Sequence, residues 1–125
     1  MDIIDYIIII LKVIVGISIL NVWLLQSKKA TKWRGGDAQN IFEEFEYYGL
    51  SKSFCYVVGF LKVSLALMLL ISIKFEELTL VASAGLAALL LGSIIMHLKV
   101  KDELYKSFPA FLFVIMNVAI AYFTI

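Results

Sequence analysis

Residues 3–25 read IIDYIIIILKVIVGISILNVWLL, and residues 54–73 read FCYVVGFLKVSLALMLLISI. Each stretch is long enough to cross the hydrocarbon core of a bilayer, which takes about 20 residues in a helix. Each also contains one lysine well inside the apolar run, Lys12 in the first and Lys62 in the second. Because a lysine at this depth costs roughly 2.5–3.5 kcal/mol on insertion scales, it needs a polar partner. The two stretches therefore predict a membrane protein with a polar interior.

The composition supports this class. Of the 125 residues, 62% are hydrophobic and the mean hydropathy is +0.97, whereas soluble domains are about 45–50% apolar. The length corresponds to a single domain, residues 1–125. A net charge of +1 gives no field that would gather nucleic acid, so we expect no nucleic-acid partner. The single cysteine, Cys55, excludes an internal disulfide and a multi-cysteine metal site.

Apolar segments of spanning length occur at residues 3–25, 54–73, 78–98 and 108–125. Only four residues separate the second segment from the third, and such a tight connection makes the two helices antiparallel neighbours. We therefore predict an all-α polytopic membrane protein, built as an antiparallel four-transmembrane-helix bundle in contact with the lipid bilayer.

The positive charges are distributed unevenly between the connections. We call residues 26–53 loop one and residues 99–107 loop three. These two loops and their borders contain Lys28, Lys29, Lys32, Arg34, Lys52, Lys99, Lys101 and Lys106, and the opposite side has only Lys74. Since short cytoplasmic loops are enriched in lysine and arginine, we expect loops one and three in the cytoplasm. Both termini would then be extracytoplasmic, in the inner (plasma) membrane of a bacterium.

Loop one contains a short amphipathic helix, which we predict at about residues 37–48. Asp37 is a candidate N-cap and Gly49 a candidate C′ residue. An apolar face recurs at helical spacing and consists of Ala38, Ile41, Phe42, Phe45 and Tyr48. Two interpretations are open. The helix either lies at the interface as an anchor on lipid headgroups, or it folds over the mouth of the bundle as a lid. A lid would lend a carboxylate to the interior, from Glu43, Glu44 or Glu46.

Three helices bring a polar group to the middle of the membrane. At 1.5 Å per residue, Lys62 lies about 12 Å, Asn117 about 14 Å and Lys12 about 20 Å from the inner edge of the hydrocarbon. Asn21 adds polarity closer to that edge. We predict a central cavity that these four residues line, because lipid offers them no hydrogen-bond partner. The alternative is that the two lysines extend to opposite interfaces.

In a shared cavity the two amines would repel each other. A buried amine can act as a base or bind an anionic or carbonyl-bearing ligand. Asp5 lies two turns outward of Lys12 and is a possible counter-charge for it. A buried amine that acts as a base or binds such a ligand is the most specific chemistry that the sequence supports.

His97 is the only histidine and comes at the inner end of the third segment. One interpretation is an interfacial residue or a C-terminal cap of its helix. The other is a proton-accepting group at the cavity mouth that faces Glu43, Glu44 or Glu46. A single histidine cannot anchor a metal site without several carboxylates, so we expect no metal.

Small residues recur every four positions in the third segment, at Ala84, Ala88 and Gly92. Such a small-xxx-small seam permits close packing against a neighbouring helix or against a second protomer. The chain contains no Gly-rich phosphate loop, no HExxH, no CxxC and no serine–histidine–acid set. We therefore identify no catalytic residue and expect no bound cofactor, although a quinone could be a ligand.

Several short stretches follow one another in a familiar order. They are KWRG at residues 32–35, YGLS at 48–51, VGFLK at 58–62, LLGSIIMHL at 90–98, and Pro109-Ala110 after a charged loop. In this order the chain resembles the DoxX-like family of small four-helix integral membrane proteins. The resemblance implies a four-helix transmembrane bundle. The family takes its name from a membrane subunit of a thiosulfate:quinone oxidoreductase. Many members resemble one another in having a glutamate where this chain has Lys62, so here the charge is reversed.

Three functions are compatible with the sequence. The first is a binding or accessory protein whose polar cavity holds a lipid-like or quinone-like ligand. The second is a membrane anchor subunit that passes reducing equivalents from a soluble redox partner protein to quinone. The third is a membrane scaffold that forms a homo-oligomer through Ala84, Ala88 and Gly92. Of these we favour the first, a non-catalytic binding or accessory protein, and the other two stay open as alternatives.

Overall fold

The apolar runs fold as helices in the computed structural model, which describes residues 2–125. The five α-helices are α1 (Ile3–Leu20), α2 (Ile41–Tyr47), α3 (Lys52–Ile71), α4 (Thr79–Lys99) and α5 (Phe108–Thr124). A π-helical turn (Asn21–Leu25) extends α1, and 3₁₀ turns (Glu76–Leu78 and Leu104–Ser107) precede α4 and α5. Four of these helical stretches are long and apolar enough to cross a membrane. The predicted fold class, a polytopic helical membrane protein, is confirmed.

The four long helices form a ring in which α1 and α4 each pack against both α3 and α5. Their facing sides supply the buried core, which consists of Val15, Ile19, Ala66, Leu69, Ala82, Leu86, Leu90 and Ile120. The other sides of the same helices expose large apolar side chains. A soluble protein would bury such surfaces, whereas a lipid environment favours them. We call the end of the bundle with loops one and three the loop-one end, and the opposite end, with residues 72–78, the hairpin end.

Helix α2 is shorter than predicted. It begins at Ile41, and the Asn40 side chain caps it by accepting a hydrogen bond from the Glu43 N–H at 2.9 Å. The predictions of a start near residue 37 and of Asp37 as the N-cap are therefore wrong. The physical reason is a competing turn, in which the Ala38 N–H bonds to the Gly35 carbonyl and Asn40 stays extended. The predicted end is confirmed.

Gly49 follows the end of α2 with a φ of +84°, a left-handed conformation that glycine adopts without steric cost. Helix α4 ends in the same way, but there Lys101 takes the left-handed position, with a φ of +59°. The Asp102 N–H then bonds back to the His97 carbonyl at 3.0 Å. This turn holds Asp102 next to the last turn of α4.

Loops one and three contact each other directly. The Asp102 carboxylate accepts a hydrogen bond from the Gly36 N–H at 3.1 Å, and Lys106 Nζ donates to the Gly36 carbonyl at 2.8 Å. Lys99 Nζ donates to the Tyr48 carbonyl at 3.3 Å. These bonds hold loop one against the ends of α4 and α5, so that it covers the loop-one end of the bundle.

Candidate functional site

A cavity of about 700 Å³ lies between the apolar core and loop one. The end of α1 with its π-helical turn, α3, α4 and α5 form its walls, and α2 with residues 31–34 covers it. Most of the lining is apolar, and its charged and polar side chains include Asn21, Lys32, Arg34, Glu44, Tyr48, Lys62, Ser93, His97 and Lys106. The cavity thus occurs where loop one is folded against the bundle.

Lys62 is the charged group that projects from the middle of a spanning helix into this cavity. It is 7% exposed, and its Nζ donates one hydrogen bond, to Ser93 Oγ at 3.2 Å. The same Nζ lies 5.6 Å from the ring centroid of Trp23, a distance at which an ammonium is attracted by the aromatic face. Lys62 forms no ion pair with any residue that the structure describes. An ammonium has three N–H donors, so a ligand with an acceptor group can satisfy the others.

The π-helical turn positions Trp23 over α3. In this turn the Gln26 N–H bonds to the Asn21 carbonyl, one residue further back than in an α-helix. The Trp23 ring packs directly on Gly59, where a Cβ atom would lie only 2.7 Å from the ring. It also meets Phe45 of α2 edge to face, with 6.0 Å between the ring centroids. Gly59 therefore makes room for the ring that forms one wall of the cavity.

Helix α2 covers the cavity, which is the arrangement of the lid interpretation. Ile41 and Phe45 are buried against Cys55 of α3. Glu44 lines the cavity, and its carboxylate accepts a hydrogen bond from the Gly35 N–H at 2.6 Å. Arg34 lies 3.8 Å from the same carboxylate. The charge that the lid contributes is therefore already paired within loop one.

His97 lies at the cavity mouth between two partners. Its Nδ1 is 2.8 Å from Asp102 Oδ2, and the Tyr48 hydroxyl is 3.3 Å from its Nε2. Because a carboxylate only accepts, Nδ1 donates to Asp102, while the Tyr48 hydroxyl lies nearly equidistant from the two ring nitrogens, 3.4 Å from Nδ1 and 3.3 Å from Nε2. Burial raises the pKa of Tyr48 above its usual range, and the carboxylates of Glu44 and Asp102 raise it further. The phenol therefore stays protonated and available as a donor.

The carboxylate partner of His97 differs from the predicted ones. Asp102 of loop three takes this place, and Glu43 and Glu46 are exposed on the outer side of α2. The reason is the left-handed turn at Lys101, which brings Asp102 back onto the helix that carries His97. Glu44 instead pairs with Arg34 and accepts from the Gly35 N–H.

Lys12 does not share the cavity with Lys62, contrary to the prediction. Its Nζ donates to the Ser72 carbonyl at 3.1 Å and to Thr79 Oγ1 at 3.0 Å, at the hairpin end. Asp5 is not its counter-charge, because the Asp5 carboxylate accepts from the Asp2 N–H in a capping box at the start of α1. Ser72 is the C-cap of α3, so the hydrogen bond from Lys12 supplies a donor for one of the carbonyl groups left free at the end of that helix.

The two asparagines are placed differently from each other. Asn21, in the π-helical turn, lines the cavity. Asn117 is fully buried but is not among the cavity residues, and its Nδ2 donates to the Phe113 carbonyl at 2.8 Å. Its Oδ1 has no hydrogen-bond partner among the residues that the structure describes. Asn117 is thus buried inside the bundle on α5 and does not line the cavity, contrary to the prediction.

The predicted small-residue seam is not a contact within the bundle. Ala84 and Ala88 are exposed, and no atom lies within 4 Å of where a Cβ would stand at Gly92. The glycine that allows close packing of α4 is Gly85, whose added Cβ would lie 2.8 Å from Leu65 of α3. Whether the seam binds a second protomer stays a prediction.

Sequence reasoning did not select four residues of this site: Trp23, Arg34, Ser93 and Asp102. The sequence does contain a signal for Arg34. It is followed by Gly35 and Gly36, which indicate a tight turn at this position and not simply an exposed basic cluster. For Asp102 the signal is its spacing, because it is a carboxylate that follows the only histidine by five residues. Trp23 and Ser93 lie in apolar runs whose pattern contains no sign of a π-helical turn or of the partner of Lys62.

Within residues 2–125 there is no group of three or more histidine, cysteine, aspartate or glutamate side chains that could hold a metal ion. The cavity instead combines aromatic walls with an amine, a hydroxyl and an imidazole, which suits an organic molecule with a polar end.

Comparison with known proteins identifies one family. No curated protein and no solved structure matches the chain. The sequence profile of the DoxX-like family matches residues 31–119, more than half of the chain, including the lid, α3, α4, loop three and most of α5. Together with the four apolar helices, this match makes the chain an integral membrane protein. The chain belongs to the DoxX-like family.

Proposed function

We propose that this protein is a non-catalytic binding or accessory protein whose cavity holds a lipid-like or quinone-like molecule. The observation that carries the proposal is the buried amine of Lys62, which projects into a cavity of about 700 Å³ with a single side-chain hydrogen bond. Small-molecule sites are typically about 300–1,000 Å³, mostly apolar, with a few converging polar groups. This cavity has that size and that balance.

Two features of the lining support a ligand with an apolar body. Aromatic side chains from different helical segments line the cavity, among them Trp23, Phe45 and Phe113, and the Trp23 ring lies beside the amine. Such rings bury large areas with defined geometry. The lid over them is held by loop one, so a bound molecule would be shielded from water on that side.

The proposal is tested by analysing what copurifies with the protein. We expect organic extraction and mass spectrometry of the detergent-solubilised protein to find a bound amphiphile, reduced about tenfold in Lys62→Met, because a charge-assisted hydrogen bond contributes about 1.5–3 kcal/mol. Lys74→Met is the matched control, since Lys74 is exposed near the hairpin end. Equal retention in all three proteins, each shown to be folded, would contradict the proposal.

We also propose that the protein lies in the plasma membrane of a bacterium with loops one and three in the cytoplasm. The excess of lysine and arginine at the loop-one end supports this orientation. Alkaline phosphatase fused after Ile125 should be active, whereas the same enzyme fused after Glu103 in loop three should be inactive. The reverse pattern would overturn the orientation and leave the fold untouched.

A further inference from the structure

Helices α3 and α4 are close together at one level and apart at another. Gly85 of α4 packs so tightly on Leu65 of α3 that an added Cβ would lie 2.8 Å from that side chain. Gly92 lies seven residues later, which is about two turns and therefore nearly the same side of α4. At Gly92 nothing lies within 4 Å of the position of a Cβ. The two helices therefore leave a gap between them towards the loop-one end.

The cavity reaches the outer surface of the bundle at this gap. Ala88 lies one turn before Gly92, lines the cavity and is exposed. On α3, Phe54 lines the cavity and is 47% exposed. Both residues belong to spanning helices, whose outer surfaces face lipid. A molecule dissolved in the bilayer could therefore enter between α3 and α4 without crossing loop one.

The charges around the cavity indicate which molecule would be held there. Glu44 is already bound by Arg34 and by the Gly35 N–H, and His97 is bound by Asp102. Lys62, by contrast, forms no ion pair with any of residues 2–125. A buried charge is costly unless a charge of opposite sign accompanies it. An anionic group next to Lys62 would supply what the chain itself does not.

We propose that the gap between α3 and α4 is a lateral opening for a single-chain amphiphile with an anionic head, of the fatty-acid type. The carboxylate would accept hydrogen bonds from the N–H groups of Lys62 Nζ that Ser93 does not use, and the hydrocarbon chain would extend past Phe54 and Ala88 into the bilayer. This inference rests on the proposed binding function and adds the charge of the ligand and its route.

The test measures binding of the fluorescent fatty acid cis-parinaric acid to the full chain in phosphatidylcholine nanodiscs. Its methyl ester, which has the same hydrocarbon chain and no charge, is the matched ligand. We expect the acid to bind about tenfold more tightly than the ester, as a charge-assisted hydrogen bond implies. In Lys62→Met this difference should disappear. A nanodisc that contains only lipid measures the partitioning of both probes into the bilayer and is subtracted.

The route is tested by the rate of binding. Ala88→Phe places a large side chain at the edge of the gap and should slow association of the acid about tenfold, whereas Ala84→Phe, on the exposed face one turn away, should leave it unchanged. Circular dichroism during heating identifies any variant that is not folded. If Ala88→Phe binds as fast as the unaltered protein, the lateral opening is wrong.

The anionic ligand and the binding function can be disproved separately. Equal affinity for acid and ester, with both probes binding, would overturn the anionic ligand and leave the binding function standing. If acid, ester and the quinone analogue decylubiquinone all fail to bind a folded protein, the proposed function is wrong as well. A Lys62→Met protein that keeps the preference for the acid would show that another group carries the recognition.

Discussion

Replacing Arg34 by methionine is expected to lower the free energy of unfolding by about 3 kcal/mol, because it removes the cation beside the largely buried Glu44 carboxylate and the donors to two loop carbonyls. Arg34 is 5% exposed, and its Nη1 lies 3.8 Å from Glu44 Oε1. Its other nitrogens donate to the Gln26 carbonyl at 2.8 Å and to the Lys29 carbonyl at 3.3 Å. One side chain thus connects the end of the first spanning segment to the lid.

The effect should be largest in loop one. Since α2 is held over the cavity partly through this arginine, the Arg34→Met protein should be cleaved in loop one much faster than the unaltered protein by proteinase K, which does not require a lysine or arginine at its cleavage sites. Thermal unfolding in detergent measures the loss of stability. Arg34→Lys should fall between the two, because a lysine keeps the charge but not the several donors of a guanidinium.

Two further variants make this prediction specific. Lys28→Met removes a charge from the same loop at an exposed position, and it should change neither stability nor cleavage. The double variant Arg34→Met with Glu44→Gln removes the unpaired carboxylate and should recover part of the lost stability. An Arg34→Met protein that unfolds and is cleaved like the unaltered one would mean that Arg34 does not hold the lid.

Lys12→Met should destabilise the bundle by about 2 kcal/mol, because hydrogen bonds from a charged group contribute about 1.5–3 kcal/mol. The Lys12 ammonium is 4% exposed and connects α1 to Ser72 and Thr79 of the neighbouring hairpin. A spanning helix that is inserted but not yet packed is surrounded by lipid, which offers no such acceptors. The bonds to Ser72 and Thr79 are therefore gained when the helices assemble.

The experiment compares Lys12→Met with Val13→Met, at the exposed neighbouring position, by thermal unfolding in detergent. Lys12→Arg keeps the donors and should lose less stability. The ligand experiment separates the two lysines, since folded Lys12→Met should keep the preference for the acid over the ester that Lys62→Met loses. If instead Lys12→Met is as stable as Val13→Met, the two hydrogen bonds do not contribute to assembly.

The sequence was sufficient for the class, the number of spans and the family. Each spanning helix is defined by a local sum, the hydropathy of about 20 consecutive residues, and these sums do not depend on what packs against them. The conclusion that Lys12 and Lys62 need polar partners also follows from the sequence, because the cost of a buried amine is a property of its depth. The end of α2 at Gly49 is similarly local, since only a left-handed turn is required there.

The partners of those lysines were decided by the tertiary structure. Both amines were expected in one cavity from depth alone, but depth does not specify the direction in which a side chain leaves its helix. That direction depends on how each helix is rotated and tilted, which close contacts such as Gly59 with Trp23 and Gly85 with Leu65 determine. Lys12 consequently meets the hairpin and Lys62 the cavity. Spans follow from properties that add along the chain, whereas the site depends on contacts between residues far apart in it.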